Sequence, residues 1–431
     1  MAGRYPNGDF YDFESELPAE EKEILYNVRE WANEKVLPIA VDYWNRSEFP
    51  HELLPSIGEL NIISLVRGQG RSRLLAGLVA AEIHRADGSV GTFFSGQDGL
   101  FTGSIELLGS EEQKERWLPD LYAVRKTGVL AITEPEAGSD VAQGMRTTAT
   151  KVDGGWILNG AKRWIGNATF SDYVAVYARD PEDEQVKGFI VDTTAEGYTA
   201  TLMENRIAIR AVQNADITLD NVFVPDSDKL EGANSFKDIN KVFKSARSTV
   251  GWQAVGTQMG ALDVALGYAD ERIQFGKKIS SFQLNQNKLA TMQGNLVASE
   301  SMMAQLARME DRGSANNEQS ALAKAFTSKL MRETVALGRE ILGGNGLMGQ
   351  LQFDLTHNQL EMVAYSPWVK DKKYEQLTSF DHLIMDGRGD SYTVDLNFAE
   401  RFKAFAPDFT AGDANDPDYN EALKQTLTDG Y

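Results

Sequence analysis

Four short stretches of the sequence combine hydroxyls, carboxylates, aromatic rings and glycines in a way that suits ligand binding. They are AITEPEAGSD (131–140), KRWIGNAT (162–169), ERIQFGKKISSFQLNQ (271–286) and EILGGNG (340–346). Small hydroxyls and backbone N–H groups can donate to polar ligand atoms, and glycines let a backbone approach closely. Each stretch alone also fits a surface loop or a helix end, because proline and glycine make turns and a lone GGNG can be a helix C-cap. The presence of four such stretches in one chain, in this order, favours a functional interpretation.

The composition limits the chemistry that these stretches can perform. Cysteine is absent and there are four histidines, which excludes disulfides, thiolate nucleophiles and cysteine-ligated metals and argues against a His-rich metal site. Any redox chemistry therefore needs a borrowed cofactor. The formal net charge of −20, with scattered basic residues, argues against a nucleic-acid partner. No apolar run approaches the roughly 18 residues that span a bilayer, and the N-terminus lacks a signal-peptide pattern. A cytoplasmic protein without a membrane partner is expected.

The hydrophobic period changes twice along the chain, which predicts three domains that position the four stretches. Helical spacing dominates residues 1–127, where GSEEQKERWLPDL adds a capping-box signal at Ser110 and Gln113. Residues 128–235 alternate in short runs between turns, which predicts a small antiparallel β domain. Residues 236–431 return to a long helical period, typical of an antiparallel helix bundle, and end in an acidic tail. The apolar positions that mark one of the bundle helices are Leu322, Phe326, Leu330, Val335 and Ile341.

The order of helix, β and helix, together with the four motifs, resembles the acyl-CoA dehydrogenase family. RWIGNAT and IAIRAVQNADITLDNVFVP (207–225) are similar to its glutaryl-CoA dehydrogenase-like branch, and the likeness runs from about Glu20 to Gly346. The resemblance implies an α+β fold with an N-terminal α-helical domain, a middle antiparallel β-barrel-like domain and a C-terminal four-helix bundle. It also implies FAD as the cofactor, an acyl-CoA as the substrate, a homotetramer, and an electron-transfer flavoprotein or similar acceptor as the partner.

The same resemblance implies which residues hold the flavin and the substrate. The stretch from Ile132 through Thr133 would line the flavin ring, and Ser139 would serve a flavin phosphate or the bound CoA. Trp164 would pack against the isoalloxazine, unless it fills the interior of the β domain. Arg272 would reach a FAD phosphate across a subunit interface, unless it is a solvated cation at a helix end. The other implied FAD contacts are Ile165, Gly166, Phe275, Gln283, Gln286, Gly343, Gly344 and Gly346. The implied substrate contacts are Glu134, Ser139, Arg247, Phe93 and Phe94.

The predicted reaction needs a carboxylate over the carbon next to the thioester. The family supplies it from a Tyr-Glu-Gly-Thr loop that follows the LGGxG motif. If SPWVKDKK is an insertion, YEQL aligns with that loop and Glu375 is the first candidate base, although the Gly-Thr is replaced. Asp386 in MDGRGDSY is the second candidate, because nitroalkane oxidases of the same superfamily have Asp-Gly at this site. Both acids could also be solvated loop charges. By resemblance, some relatives carry the base on the first bundle helix, just before an arginine. The corresponding arginine here is Arg247, and Ala246 precedes it, so this position is excluded.

The segment GSVGTFFSGQDGL (88–100) bears on the substrate class. It holds no arginine where, by resemblance, the glutaryl enzymes carry one; Gly91, Phe93 and Phe94 stand there instead. This favours a neutral over a dicarboxylic acyl chain, although the phenylalanines also fit core packing. The leading prediction is FAD-dependent α,β-dehydrogenation of an acyl-CoA. Two alternatives stay open: a flavin oxidase or monooxygenase with Asp386 as base, and a non-catalytic relative that keeps FAD or only the fold.

Overall fold

The computed structural model describes residues 9–206 and 208–347. The candidate bases Glu375 and Asp386 lie outside the described residues. The N-terminal helices are α1 (Ala19–Trp31), α2 (Leu37–Arg46), α3 (Leu53–Glu59), α4 (Arg73–Ala86), α5 (Gly88–Ser95), α6 (Gly103–Leu108) and α7 (Glu111–Tyr122), with π-helical segments at Ala32–Val36 and Gly96–Thr102.

Helix α7 begins at the capping box that the sequence predicts. The Ser110 hydroxyl accepts the N–H of Gln113 at 3.2 Å, and the Gln113 side-chain oxygen accepts the N–H of Ser110 at 2.9 Å. Two N–H groups that the helix leaves without a partner are thereby satisfied. The local prediction is confirmed.

The middle part of the chain forms one seven-stranded sheet. Its elements are β1 (Gly128–Ala131), the short helix α8 (Val141–Gly144), β2 (Thr148–Val152), β3 (Gly155–Ile165), β4 (Tyr173–Arg179), β5 (Val186–Asp192), β6 (Tyr198–Leu202) and β7 (Ala215–Pro225). The strand order is β1-β4-β2-β3-β7-β6, with β5 paired to β4. Most pairs are antiparallel, but β1 runs parallel to β4. Alternation of apolar residues identifies strands and is silent about their direction, which is why the sequence predicted an antiparallel sheet.

The C-terminal part contributes three long helices within the described residues. They are α9 (Phe236–Glu271), α10 (Gln283–Asp311) and α11 (Asn317–Leu342), and the hairpin of β8 (Ile273–Gln274) and β9 (Lys277–Lys278) joins the first two. The period that predicted α11 identified its buried face only in part: Val335 and Ile341 are buried, whereas Leu322 is 56% and Phe326 40% exposed. Small polar residues of α11 such as Thr327 and Thr334 are buried instead.

Helices α4 and α9 cross with their backbones in contact. A Cβ atom on Gly256 of α9 would lie 2.1 Å from the carbonyl oxygen of Ala81, and one on Gly260 would lie 2.7 Å from that of Arg85. The two glycines are one helical turn apart and face α4 together. The crossing therefore joins the N-terminal domain directly to the bundle. In the described ranges, no helix has both the length and the apolar character needed to cross a bilayer.

Candidate active site

The three domains meet around a cavity of about 230 Å³. Residues 92–100 of α5 and the following π segment form one wall, β1 and the end of β3 form a second, and α9 forms a third. None of the described residues that line it is charged. The third wall includes Thr249, Val250 and Gln253. Apolar surface with a few uncharged polar groups suits a mostly apolar ligand that needs a fixed orientation.

A β-bulge turns Trp164 into this cavity. In the pairing of β3 with β7, Lys162 lies opposite Ile217 and Ile165 lies opposite Ala215, so β3 carries one extra residue. Trp164 adopts the left-handed region at φ 63°, which bulky residues rarely occupy. Its side chain is 37% exposed and lines the cavity, whereas Ile165 is buried in the sheet core. The indole thus faces the cavity and not the interior of the β domain.

Two neighbouring polar residues of the cavity wall have different tasks. The Gln97 amide oxygen accepts the N–H of Gly128 at 2.8 Å, and its nitrogen donates to the carbonyls of Leu121 and Lys126 at 3.3 and 3.2 Å. Gln97 therefore ties the π segment to β1. The Ser95 hydroxyl is buried and has no hydrogen-bond partner within the described part of the chain. A buried, unsatisfied hydroxyl at a cavity wall is available to a ligand.

Gly91 lies against a buried histidine. A Cβ atom on Gly91 would stand 2.5 Å from Cγ of His84, so the imidazole fills the space that a side chain would need. Its Nδ1 lies 2.8 Å from the carbonyl oxygen of Ala80, which only accepts, so Nδ1 carries the proton. Burial lowers the pKa of His84 to about 4, against the opposing effect of this hydrogen bond. The ring is therefore neutral at pH 7.

The predicted substrate contact Glu134 is turned inward. It is buried, and its Oε1 lies 2.8 Å from Nζ of Lys162, which is fully buried. The N–H groups of Arg146 and Thr147 donate to the same carboxylate at 2.6 and 3.0 Å. Burial alone would raise the pKa of Glu134, but the Lys162 ammonium and these hydrogen bonds outweigh it and hold the pKa below its ordinary value. This environment does not support a contact between Glu134 and a substrate.

Of the other predicted residues of this region, some line the cavity and others do not. Ile132 is buried, Thr133 is half-buried and Ser139 is exposed, and none of the three is among the described lining residues. Phe93 lines the cavity and also packs on Phe49, with ring centroids 4.9 Å apart. Gly166 lines the cavity, and Phe94 lines a smaller cavity beside it. Arg247 is half-buried on α9, next to the lining residue Ala246.

A second cleft, of about 490 Å³, brings together residues from two distant motifs. Arg272 and Phe275 from the β8–β9 region line it with Gly343 and Gly344. Phe275 is 93% exposed. Gly343 is also the C-cap of α11 at φ 59°, which is the alternative role that the sequence left open for GGNG. The first cavity and this cleft share no described lining residue.

Three further predicted FAD contacts do not line this cleft. Gln283 and Gln286 are absent from its described lining, and the Gln286 amide donates to the carbonyl of Ser280 at 3.1 Å. A Cβ atom on Gly346 would lie 2.7 Å from the carbonyl of Arg339, so Gly346 packs against the end of α11. Close packing explains that glycine without a ligand.

A basic pocket of about 190 Å³ opens near the start of α9. Arg67, Arg73, Lys241 and Lys244 line it, together with Glu310, which lies 3.6 Å from Arg73. A cavity of about 70 Å³ adjoins both sites, since it shares Arg67, Arg73 and Glu310 with the basic pocket and Gly99 and Thr249 with the large cavity. Four cations around one pocket are notable in a chain of net charge −20. Three of them have carboxylate partners, since Arg67 lies 3.1 Å from Glu106, Arg73 3.8 Å from Asp311 and Lys241 2.9 Å from Asp238. An anionic group would share these cations with the protein's own carboxylates.

Sequence reasoning missed the small residues of the first cavity wall. Thr92, Gly96 and Gly99 line the cavity at helical spacing, and Ser95 lies between them. Small residues three and four apart share a helix face and leave room beside it. In GSVGTFFSGQDGL this spacing of small residues could have indicated the cavity wall, whereas the sequence analysis considered only Gly91 and the two phenylalanines.

The chain matches three sequence models of one family. They are Acyl-CoA dehydrogenase, N-terminal domain (residues 18–125), middle domain (residues 129–222) and C-terminal domain (residues 236–364). Among similar proteins, 3-(aryl)acrylate reductase of Clostridium sporogenes is 31% identical over 345 residues, which cover 78% of this chain and 91% of the relative. Caffeyl-CoA reductase-Etf complex subunit CarC of Acetobacterium woodii is 30% identical, over 83% of this chain and 95% of the relative.

Solved structures give the same result. A crystal structure of glutaryl-CoA dehydrogenase from Mycobacterium smegmatis has a TM-score of 0.79 and 32% identity, over 90% of this chain and 100% of that chain. A crystal structure of a glutaryl-CoA dehydrogenase from the same organism, in complex with FADH2, also has a TM-score of 0.79, at 29% identity and the same coverage. The fold and the sequence agree along all three domains: the chain belongs to the acyl-CoA dehydrogenase family, a family of FAD-binding oxidoreductases.

Proposed function

We propose that the protein removes an α proton and a β hydride from a neutral acyl-CoA thioester with FAD as cofactor. The observation that carries the proposal is the uncharged cavity at the junction of the three domains, with Trp164 in its wall. Family membership supports the reaction class. The cavity lining supports the preference for a neutral chain, because a free carboxylate would lose its hydration there without gaining a charged partner.

The described residues fit a flavin in this cavity. Trp164 offers an aromatic face, and Ser95 offers a hydroxyl without a protein partner. Bound FAD would accept the hydride of the β carbon. In the second cleft, Arg272 would pair with phosphate, and Gly343 and Gly344 leave the backbone accessible. We place this cleft against the FAD of a neighbouring subunit in a homotetramer.

Gly91 supports a neutral acyl chain in a second way. The glutaryl enzymes, by resemblance, carry an arginine at this place, and here the neutral ring of His84 occupies the space beside Gly91. No described lining residue of this cavity is a cation that could pair with a distal carboxylate.

The basic pocket supports a CoA thioester. Its basic residues, Lys244 among them, suit a phosphate of CoA, and the small cavity adjoins both this pocket and the large cavity. We expect Lys244→Gln to raise the KM for an acyl-CoA and to leave the KM for the matching acyl-pantetheine, which lacks the nucleotide phosphates, unchanged. Lys237→Gln is the matched control, because Lys237 lies on the same helix, is exposed and does not line the pocket. Equal KM changes for both substrates would refute the assignment.

Both candidates for the base that removes the α proton lie outside the described residues. Glu375 is the first candidate and Asp386 the second. Glu375→Gln and Asp386→Asn each keep the shape of the side chain and remove its basicity. The variant that abolishes flavin reduction while it still binds acyl-CoA identifies the base.

The reaction is tested by anaerobic titration of the FAD-loaded protein with saturated acyl-CoAs, followed by the visible spectrum. The panel contains straight-chain, branched and 3-phenylpropanoyl-CoA, because two relatives are named for aryl and caffeyl substrates, and glutaryl-CoA as the dicarboxylic control. Bleaching by a neutral thioester and not by glutaryl-CoA is the expected result. Electron transfer from the reduced protein to an electron-transfer flavoprotein is then expected.

Other outcomes favour the alternatives. Rapid reoxidation by oxygen after reduction by a substrate that lacks CoA would favour the oxidase or monooxygenase. A bound flavin that stays oxidised with every thioester and every such substrate would favour the non-catalytic relative.

A further inference from the structure

Two strands that line the cavity are not neighbours in the sheet. Leu130 lies on β1 and Trp164 on β3. The described strand order places β4 and β2 between these two strands. No ladder of backbone hydrogen bonds therefore connects β1 to β3 in residues 9–206 and 208–347. The spacing of these two parts of the wall has to be set by other contacts.

A buried lysine connects β3 to the segment that follows β1. Nζ of Lys162, on β3, donates to the carbonyl of Ile132 at 3.2 Å and to the Glu134 carboxylate at 2.8 Å. The N–H of Arg163 donates to the carbonyl of Thr133 at 2.8 Å. Lys162 is two residues from Trp164, and Ile132 is two residues from Leu130. The connection therefore lies two residues along the chain from each of the two cavity residues.

Glu134, which lies in the segment after β1, is also bound by the residues that precede β2. Backbone N–H groups of Arg146 and Thr147, just before β2, donate to the two oxygens of Glu134. Thr147 also lies against β3, where a Cβ on Gly160 would come within 2.6 Å of its hydroxyl oxygen. An ammonium that is fully buried costs several kcal/mol in lost hydration, so it persists only where partners are fixed around it. The sheet therefore carries this charge pair in a rigid setting.

We propose that the buried Lys162–Glu134 ion pair is the brace that sets the spacing between β1 and β3 and thereby positions Trp164 at the cavity. Both are positioning residues, since their charges face each other and the backbone of the sheet. The effect on FAD affinity rests on the proposed function, whereas the brace itself does not.

The test compares two double variants. Lys162→Met with Glu134→Gln removes the brace without leaving a lone buried charge. Lys187→Met with Asp180→Asn is the matched control, because this Lys–Asp pair joins β5 to the residue after β4, with side chains 13% and 4% exposed, and is not among the residues that line the cavity. Two quantities are measured: the Kd for FAD, and the hydrogen exchange rate of the Arg163 N–H in the protein without FAD.

We expect the brace variant to bind FAD about tenfold more weakly, which corresponds to about 1.4 kcal/mol, and to exchange the Arg163 N–H faster, while the control variant matches the wild type. Unchanged exchange, or faster exchange with unchanged FAD affinity, overturns the proposal. If the wild type binds no FAD, the proposed function fails and the exchange rate alone decides about the brace. Should the double variant not fold, Glu134→Gln alone, which removes the charge that faces Lys162 and keeps the shape of the side chain, is measured against the same two outcomes.

Discussion

Replacing Gly91 by alanine tests whether the His84 ring fills the space beside α5. The new methyl group would stand 2.5 Å from Cγ and Nδ1 of the ring and 2.6 Å from Cε1. His84 is buried, and its Nδ1 is held by the carbonyl of Ala80, so the ring cannot move without losing that hydrogen bond. Overpacking and the strained hydrogen bond together cost about 3 kcal/mol, and the better helix propensity of alanine returns up to about 1 kcal/mol. We expect Gly91→Ala to lower the free energy of unfolding by about 2 kcal/mol.

A double-mutant cycle separates this contact from other effects of the substitution. Urea unfolding followed by circular dichroism gives the free energies of the wild type, Gly91→Ala, His84→Ala and the double variant. In the His84→Ala background the methyl group enters vacated space, so its cost should disappear. Gly96→Ala is the control, because no atom lies within 4 Å of the Cβ it would add. A Gly91→Ala protein as stable as the wild type, or one whose loss persists without His84, would refute the proposed packing.

Three further perturbations have definite expected results. Trp164→Gly removes the aromatic face and relieves the strain of a φ of 63°. The FAD affinity, measured by fluorescence titration, should fall, while the midpoint of thermal unfolding stays close to that of the wild type. Parallel losses of affinity and thermal stability would contradict this. Burial raises the pKa of Asp87 to about 7. The folded state therefore keeps a proton on Asp87 that the unfolded state loses above the normal pKa of an aspartate. The free energy of unfolding should fall between about pH 4 and 7 by up to about 4 kcal/mol. Asp87→Asn, which keeps the acceptor for the Val90 N–H, should flatten that decline in urea unfolding measured across this range, and an unaltered slope would disprove it. Ser110→Ala should cost about 1 kcal/mol of unfolding free energy through loss of the cap, and no change would show that the cap is redundant.

Local signals in the sequence predicted local structure well. The capping box at Ser110 depends on two side chains three residues apart, so the pattern alone contains the interaction. The long apolar period predicted α11, but Leu322 and Phe326 are exposed, because a period marks a face and does not say what covers it. The prediction that Trp164 contacts a ligand came from the family resemblance and not from the alternation of apolar residues in β3. The bulge that turns this side chain needs an extra residue relative to β7, and the partner strand cannot be seen from β3 alone.

Parts of the site depend on contacts between residues distant in sequence. Glu134 was predicted to contact the substrate, yet its partner Lys162 lies on a strand that no short motif connects with it. His84 and Gly91 are close in the chain, but only the corner between α4 and α5 brings the ring against the glycine. Such contacts follow from the tertiary arrangement, which residue types and spacing do not encode individually.

The crossing of α4 and α9 through Gly256 and Gly260 restricts how ligands enter. Carbonyl oxygens of one helix occupy the places where side chains of the other would stand, so sliding by a turn would bring the larger neighbouring side chains into collision with the backbone. We therefore expect the N-terminal domain and the bundle to move as a single rigid block on the timescale of turnover. Ligand exchange then has to proceed without sliding of α4 along α9.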